Sequence, residues 1–286
     1  MTDLSASPAF VLVHGAWHSG QTWNELTPEL ETRGHAVVVL DLPGAGANAA
    51  TPASFHQRPL DPSVFGTEPS PNAGVTQAER TEAVVAAVGE AAGRGNGEVV
   101  LVGHSLGGLS ISPVAEQIPD DLKAVVYLTA FLLPRGMVAG EMIGHEIMTD
   151  AGVLPLLMAD PEVVGALRLD TGSTDPDYLA GVRSAFYGDL TDEQLTTALS
   201  RLHCDEPAAV AGVPSDITAE RFGTVDRHYV RCADDRAIVP AAQDLMVGLV
   251  DEQIGTTTTV HNMDTSHSPF YSDPAGLATI LSSIAQ

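Results

Sequence analysis

The chain has 286 residues, of which 44% are apolar and 17% charged; 37 acidic side chains against 13 lysines and arginines give a formal net charge of −24. This is a globular composition, and a field of that sign argues against nucleic-acid partners and anionic membrane surfaces. No apolar run approaches the ~18 residues that cross a bilayer, and the two cysteines, Cys204 and Cys232, exclude a disulfide framework and a four-thiolate zinc site.

Met1-Thr2-Asp3-Leu4-Ser5 lacks the basic start and apolar stretch of a secretory signal, so a cytoplasmic location is expected. Phe10-Val11-Leu12-Val13 is the first predicted strand. A helix over roughly Gly20 to Arg33 follows, stopped at Gly34 by a residue suited to a left-handed cap. Ala36 to Leu40 is the second strand. Residues 43–76, rich in Gly, Pro, Ala, Ser and Asn, exceed the usual connection and predict a functional or mobile loop.

Thr76 and Glu79 form a capping box ahead of a helical run through Ala83-Val84-Val85-Ala86-Ala87-Val88. Val99 to Val102 and Ala124 to Leu128 are the third and fourth strands. Residues 132–222 hold helix-like segments but no convincing strand, with Thr191 and Gln194 capping one of them. This stretch reads as a helical insertion, a lid over one end of a sheet. Tyr229-Val230-Arg231 and Thr257 to His261 are the last strands, and Pro240 and Pro274, the latter after an Asp273 N-cap, open the last helices. Continuous apolar runs fit strands covered on both faces. Their alternation with helices predicts one α/β domain over 1–286, with a mostly parallel sheet and right-handed crossovers.

The strongest local motif is Gly103-His104-Ser105-Leu106-Gly107-Gly108, directly after a strand and before a helix. A strand that turns sharply into a helix leaves no room beside its apex. Glycines two before and two after the apex relieve that crowding and thrust the serine hydroxyl outward. A serine needs a base to become a nucleophile, and this architecture orders the partners as serine, acid, histidine along the chain. His267, after the last strand in Asp264-Thr265-Ser266-His267-Ser268-Pro269, is the candidate base, ahead of His145, His203, His228 and His261. Asp234 and Asp235 both follow the preceding strand, and position alone leaves the choice between them open. His14-Gly15-Ala16-Trp17 ends the first strand. The backbone N–H groups of Ala16 and Leu106 are the candidate oxyanion donors.

These residues make the chain resemble the α/β-hydrolase superfamily, and within it the plant methyl-esterase and hydroxynitrile-lyase family with its bacterial relatives. The matching stretches are Phe10 to His18, Val102 to Gly108, Glu220 to Val225 running into Tyr229 to Asp235, and the final histidine loop. They span nearly the whole chain and are weakest in 44–75 and much of the lid. The resemblance implies a carboxylic ester hydrolase working through an acyl-serine, with a Ser105–His267–Asp235 triad, no metal and no organic cofactor. It assigns the acid to Asp235 and not Asp234. Hydroxynitrile lyases of this group have a threonine where Gly15 stands and a lysine where Ser268 stands. Without that ammonium no cation holds a cyanide leaving group, so the esterase reading is preferred. Dehalogenases of the same fold use an aspartate nucleophile, which Ser105 excludes. The 44–75 loop looks longer than in the plant members.

Other features read as structural. His14 and His18 are expected to support the oxyanion loop, His104 to pack, and the cysteines to be buried small hydrophobes. His145-Glu146 has no second histidine four residues on, which argues against zinc. Gly44-Ala45-Gly46 is an incomplete dinucleotide fingerprint, broken at Ala49. Trp17, Phe186 and Tyr187 are candidate pocket residues. Met137, Met142 and Met148 either reach an acyl group or pack in the core. The expected partner is a small or medium, fairly apolar ester. A lactonase, thioesterase or amidase, a lyase using the same triad, and a ligand receptor on a hydrolase scaffold are the alternatives. Oligomeric state is left open, a homodimer included. Lys123 is the only lysine, a mark either of GC-rich coding or of a salt-adapted surface.

Overall fold

The computed structural model describes residues 7–286; the reading of Met1 to Ser5 falls outside them. The strands in chain order are β1 (Ala9–Val13), β2 (Val37–Val39), β3 (Val99–His104), β4 (Leu122–Leu128), β5 (Ala166–Arg168), β6 (Asp205–Pro207), β7 (Asp226–Cys232) and β8 (Thr259–Met263). Six of them form the main sheet in the order β2-β1-β3-β4-β7-β8, and every neighbouring pair is parallel. The alternation of side chains along each strand divides the interior into two cores. Phe10, Leu12, Val100, Val102, Ala124, Val126 and Leu128 pack on one face. Ala9, Val11, Val13, Val99, Leu101, Val125 and Tyr127 pack on the other. Burial on both faces is what continuous Val/Leu runs provide for. At one edge of the sheet, Thr259 and Val260 of β8 are exposed, and among the described residues no strand pairs with its far side.

Helix ends follow local chemistry. The helix Gln77–Arg94 begins with the Thr76–Glu79 capping box, and Asp192–Ser200 begins with the Thr191–Gln194 box. The Asp273 carboxylate accepts from the Gly276 amide at the start of Pro274–Ile284. Gly34 has φ +91°, the left-handed stop expected of it. The helix predicted over Gly20 to Arg33 is instead two pieces, a 3-10 turn Gly20–Trp23 and an α-helix Leu26–Thr32. Pro28 explains the break, because a proline lacking its N–H fits only the first turn.

The connection from β4 to β7 is not purely helical. Besides the helices Pro176–Phe186 and Asp192–Ser200 it contains β5 and β6, which form an antiparallel pair of their own. Three-residue strands that carry charge give no hydrophobic period, so sequence patterning passes over them. Their charges form a buried network. Arg168, fully buried, makes a two-pronged pair with Asp205 at 2.7 and 2.8 Å, and Arg80 meets Glu206 at 2.5 Å. Arg168 also donates to the carbonyls of Phe65 and Glu68 at 2.5 and 2.7 Å. The 43–76 segment, expected as a loop, is thus anchored from beneath and contains a short helix, Pro62–Phe65. Among the described residues no helix is long and apolar enough to cross a membrane.

Candidate active site

In a parallel sheet all strand C-termini open on one edge, where ligands bind. The loops after β1, β3, β7 and β8 bring His14–His18, Ser105, Asp235 and His267 to that edge. Ser105 has φ +54°, a strained backbone for a residue with a side chain. The crowding inferred for its glycines is present. A β-carbon on Gly107 would lie 2.6 Å from the His14 carbonyl oxygen, and one on Gly103 would lie 2.7 Å from Ile111 Cδ1. Gly15 makes the closest approach to the serine itself, since a β-carbon there would stand 2.6 Å from Ser105 Cβ.

The His267 Nδ1–H donates to Asp235 Oδ2 at 2.7 Å, with the two residues 1% and 2% exposed. Asp235, and not its exposed neighbour Asp234, meets the imidazole. Its carboxylate also accepts from the amides of Ala237 (2.7 Å) and Ile238 (3.0 Å), from the Thr129 hydroxyl, and weakly from Gln243 at 3.5 Å. Thr129 adopts φ +35° to reach it. Thr129 and Gln243 carry no motif and are invisible in the sequence. Among the described residues the Ser105 hydroxyl has no hydrogen-bond partner. The structure therefore joins the acid to the histidine and places the serine on the same edge without a Ser105–His267 bond.

His104 ties the two loops together. Its Nε2–H donates to the His267 carbonyl at 2.9 Å and its ring lies 4.6 Å from the His267 ring. Burial, with the neighbouring His267 and His18 adding to it, holds its pKa well below the ordinary histidine value. It is a hydrogen-bonded support as well as packing.

The loop after β1, His14–His18, is fixed by two neutral imidazoles. The Leu42 amide donates to His14 Nε2 at 3.1 Å, so the proton sits on Nδ1, which donates to the Gly15 carbonyl at 2.8 Å. Because a trans peptide points its C=O and N–H in opposite directions, holding the Gly15 carbonyl also sets the Ala16 amide. His18 Nδ1–H donates to the Ala16 carbonyl at 2.7 Å, and its Nε2 faces the Tyr187 hydroxyl at 2.9 Å. Burial pushes His14 down to about 4 and His18 to about 3, so both stay uncharged at neutral pH. Ala16 and Leu106 are themselves buried, and among the described residues the Ala16 amide is bound to no protein acceptor.

Ser105 opens into a cavity of about 70 Å³ lined by Ala16, Trp17, Leu106, Met148, Phe186 and Ile238 among others, otherwise apolar. Trp17 and Phe186 line it; Tyr187 does not. Following the end of its helix, Tyr187 turns away and spends its hydroxyl on His18. Of the three methionines, Met148 lines the cavity, Met142 is core and Met137 lies elsewhere. A larger cleft of about 360 Å³, beside Gln77, Ser112 and Ser215, contains no histidine to act as a base. Among the described residues no three His, Cys, Asp or Glu side chains are grouped to hold a metal ion.

A model of the alpha/beta hydrolase family matches residues 10–280. Methylesterase 18 of Arabidopsis thaliana is 26% identical over 280 residues, covering 95% of each chain. The alpha-hydroxynitrile lyase of Arabidopsis thaliana is 28% identical over 245 residues, covering 80% of each. The crystal structure of a pyrethroid hydrolase from Sphingobium faniae JZ-2 superposes with a TM-score of 0.73 at 25% identity, covering 97% of each chain.

Proposed function

The chain belongs to the alpha/beta hydrolase family, and on that footing we propose that it is a serine hydrolase of carboxylic esters, working through an acyl-enzyme at Ser105. One observation carries the reading: among the described residues lining the apolar cavity, Ser105 supplies the only hydroxyl, on a strained turn beside the Ala16 and Leu106 amides. The names of two relatives, Methylesterase 18 and the pyrethroid hydrolase, support it, the first as an esterase and the second as a hydrolase.

His267 takes the Ser105 proton on Nε2 as Oγ attacks the ester carbon. Asp235 holds the imidazole in the tautomer that leaves Nε2 free and stabilises its cation. The amides of Ala16 and Leu106 receive the negative oxygen, each donor worth on the order of 10²–10³ in rate. Collapse breaks the C–O bond, and the imidazolium gives its proton to the departing alkoxide. Water, deprotonated by His267, then attacks the acyl-serine; the Oγ–carbon bond breaks, the imidazolium returns its proton to Ser105 Oγ, and the acid is released. Without substrate the distance between serine and histidine is commonly loose, and it tightens in the complex. Trp17 and Phe186 form part of the acyl pocket, and the β4–β7 insertion acts as its lid. The −24 charge favours neutral esters over anionic ones.

The lyase alternative has a relative of that name at 28% identity, but a threonine β-carbon at position 15 has no room beside Ser105, and Ser268 offers no cation. The test compares nitrophenol release from p-nitrophenyl butyrate by the native protein and Ser105→Ala, with intact-mass detection of a butyryl adduct. Loss of kcat on the order of 10⁴–10⁶ is expected. Equal rates, or turnover of cyanohydrin without an adduct, would overturn the reading.

A further inference from the structure

One short stretch of the insertion grips both halves of the candidate site. Tyr187 reaches the oxyanion loop: its hydroxyl bonds His18 Nε2 at 2.9 Å, and His18 in turn holds the Ala16 carbonyl at 2.7 Å. Two residues later, Asp189 reaches the histidine loop. Its carboxylate accepts from the Ser266 amide at 2.9 Å and from the Ser266 hydroxyl, immediately before His267. The oxyanion loop takes two more bonds from the same insertion: Trp17 Nε1–H donates to the Leu167 carbonyl and the His203 amide to the Trp17 carbonyl, both at 2.8 Å. Trp17 sits there at φ +61°, a conformation that needs such outside restraint.

We propose that Tyr187 and Asp189 are positioning residues, a clasp by which the insertion sets the oxyanion loop and the histidine loop in register with each other. The catalytic consequence rests on the ester-hydrolase reading. The mechanical one does not. Neither side chain touches the cavity where substrate would sit, so loss of the clasp acts on the alignment of the reacting groups and not on binding.

The experiment uses Tyr187→Phe, Asp189→Ala and Asp189→Asn in the full chain. Each is assayed for kcat and KM on p-nitrophenyl butyrate, and for amide hydrogen exchange in peptides covering 14–20 and 264–268. Tyr187→Phe and Asp189→Ala are expected to lower kcat by roughly 10–100-fold, the scale of a misplacement near 1 Å, with KM nearly unchanged. Exchange should rise in 14–20 for the first and in 264–268 for the second. Asp189→Asn keeps an oxygen for the Ser266 amide and should recover part of the loss. If the native protein hydrolyses no ester while exchange rises as stated, the functional reading fails and the clasp stands. If kcat is unchanged, if KM alone moves, or if exchange rises only at 187–189, the clasp is refuted. A Tyr187→Phe chain that does not fold leaves the decision to the Asp189 pair.

Discussion

Adding one methyl group to Gly15 probes the site at its tightest point. A β-carbon at this position would stand 2.6 Å from Ser105 Cβ, 3.0 Å from His104 Nδ1 and 3.1 Å from the His104 carbonyl oxygen. Carbon atoms settle at ~3.5–4.0 Å, so the loop must retreat by roughly 1 Å. The backbone of Gly15 is not in the left-handed region, so alanine meets no conformational penalty there and the effect is contact alone. Overpacking costs ~1–3 kcal/mol, partly offset by the ~0.4–1 kcal/mol gained from a less flexible unfolded chain. A net loss of about 1–2 kcal/mol lowers Tm by only a few degrees. The rate should suffer more, because on the proposed mechanism the retreat carries the Ala16 amide away from the oxyanion. A loss on the order of 10² in kcat is expected, about 2.7 kcal/mol of transition-state stabilisation. The assay is kcat and KM on p-nitrophenyl butyrate, together with the rate of inactivation by an organophosphonate, which needs the same oxyanion contacts. A folded Gly15→Ala protein with native kcat and inactivation rate would refute the argument that this loop and Ser105 form one unit.

Acid should weaken the fold before carboxylates begin to titrate. His14 and His18 are pushed down to about 4 and about 3, below the unfolded 6.5, so their contribution is complete above pH 6.5 and declines as pH falls, toward about 4 for His14 and about 3 for His18. Each shift is worth up to roughly 3–5 kcal/mol, and a urea midpoint that stays flat between pH 7.5 and pH 4.5 would count against neutral burial of these rings. Salt should act in the opposite sense. With a net charge of −24, shortening the screening length from ~30 Å at 10 mM to ~3 Å at 1 M relieves self-repulsion. Tm should rise with NaCl; a constant Tm would mean that the surface charge is not a burden on stability.

The readable parts of this molecule are those where one residue type has one physical use. Ser105 between its glycines, the Thr76–Glu79 and Thr191–Gln194 boxes, and the Val/Leu strands all announce themselves because packing or capping permits few substitutes. His14 and His18 are legible as supports of their loop, and each binds a carbonyl within it. The unreadable parts depend on partners distant in sequence. Thr129 reaches Asp235 across 106 residues and Tyr187 reaches His18 across 169. Nothing in the local pattern of either distinguishes it from core. Tyr187 reads as a pocket residue because, like Phe186, it falls in the insertion, but a helix end sends adjacent side chains in different directions. The strands β5 and β6 stay hidden for a related reason, since their stability lies in buried charge and not in apolar repetition.

The guanidinium of Arg168 has a practical meaning for redesign. It is bonded at once to Asp205 and to the carbonyls of Phe65 and Glu68, so two segments far apart in the chain share a single fastening. Grafting a foreign cap between β4 and β7 to change selectivity would strand the buried Phe65 carbonyl, a cost of ~1–3 kcal/mol, and leave the half-buried Glu68 carbonyl to water. The transplantable cassette is therefore discontinuous: any chimera must carry the stretch around Phe65–Glu68 along with the cap, or supply another cation to take its place.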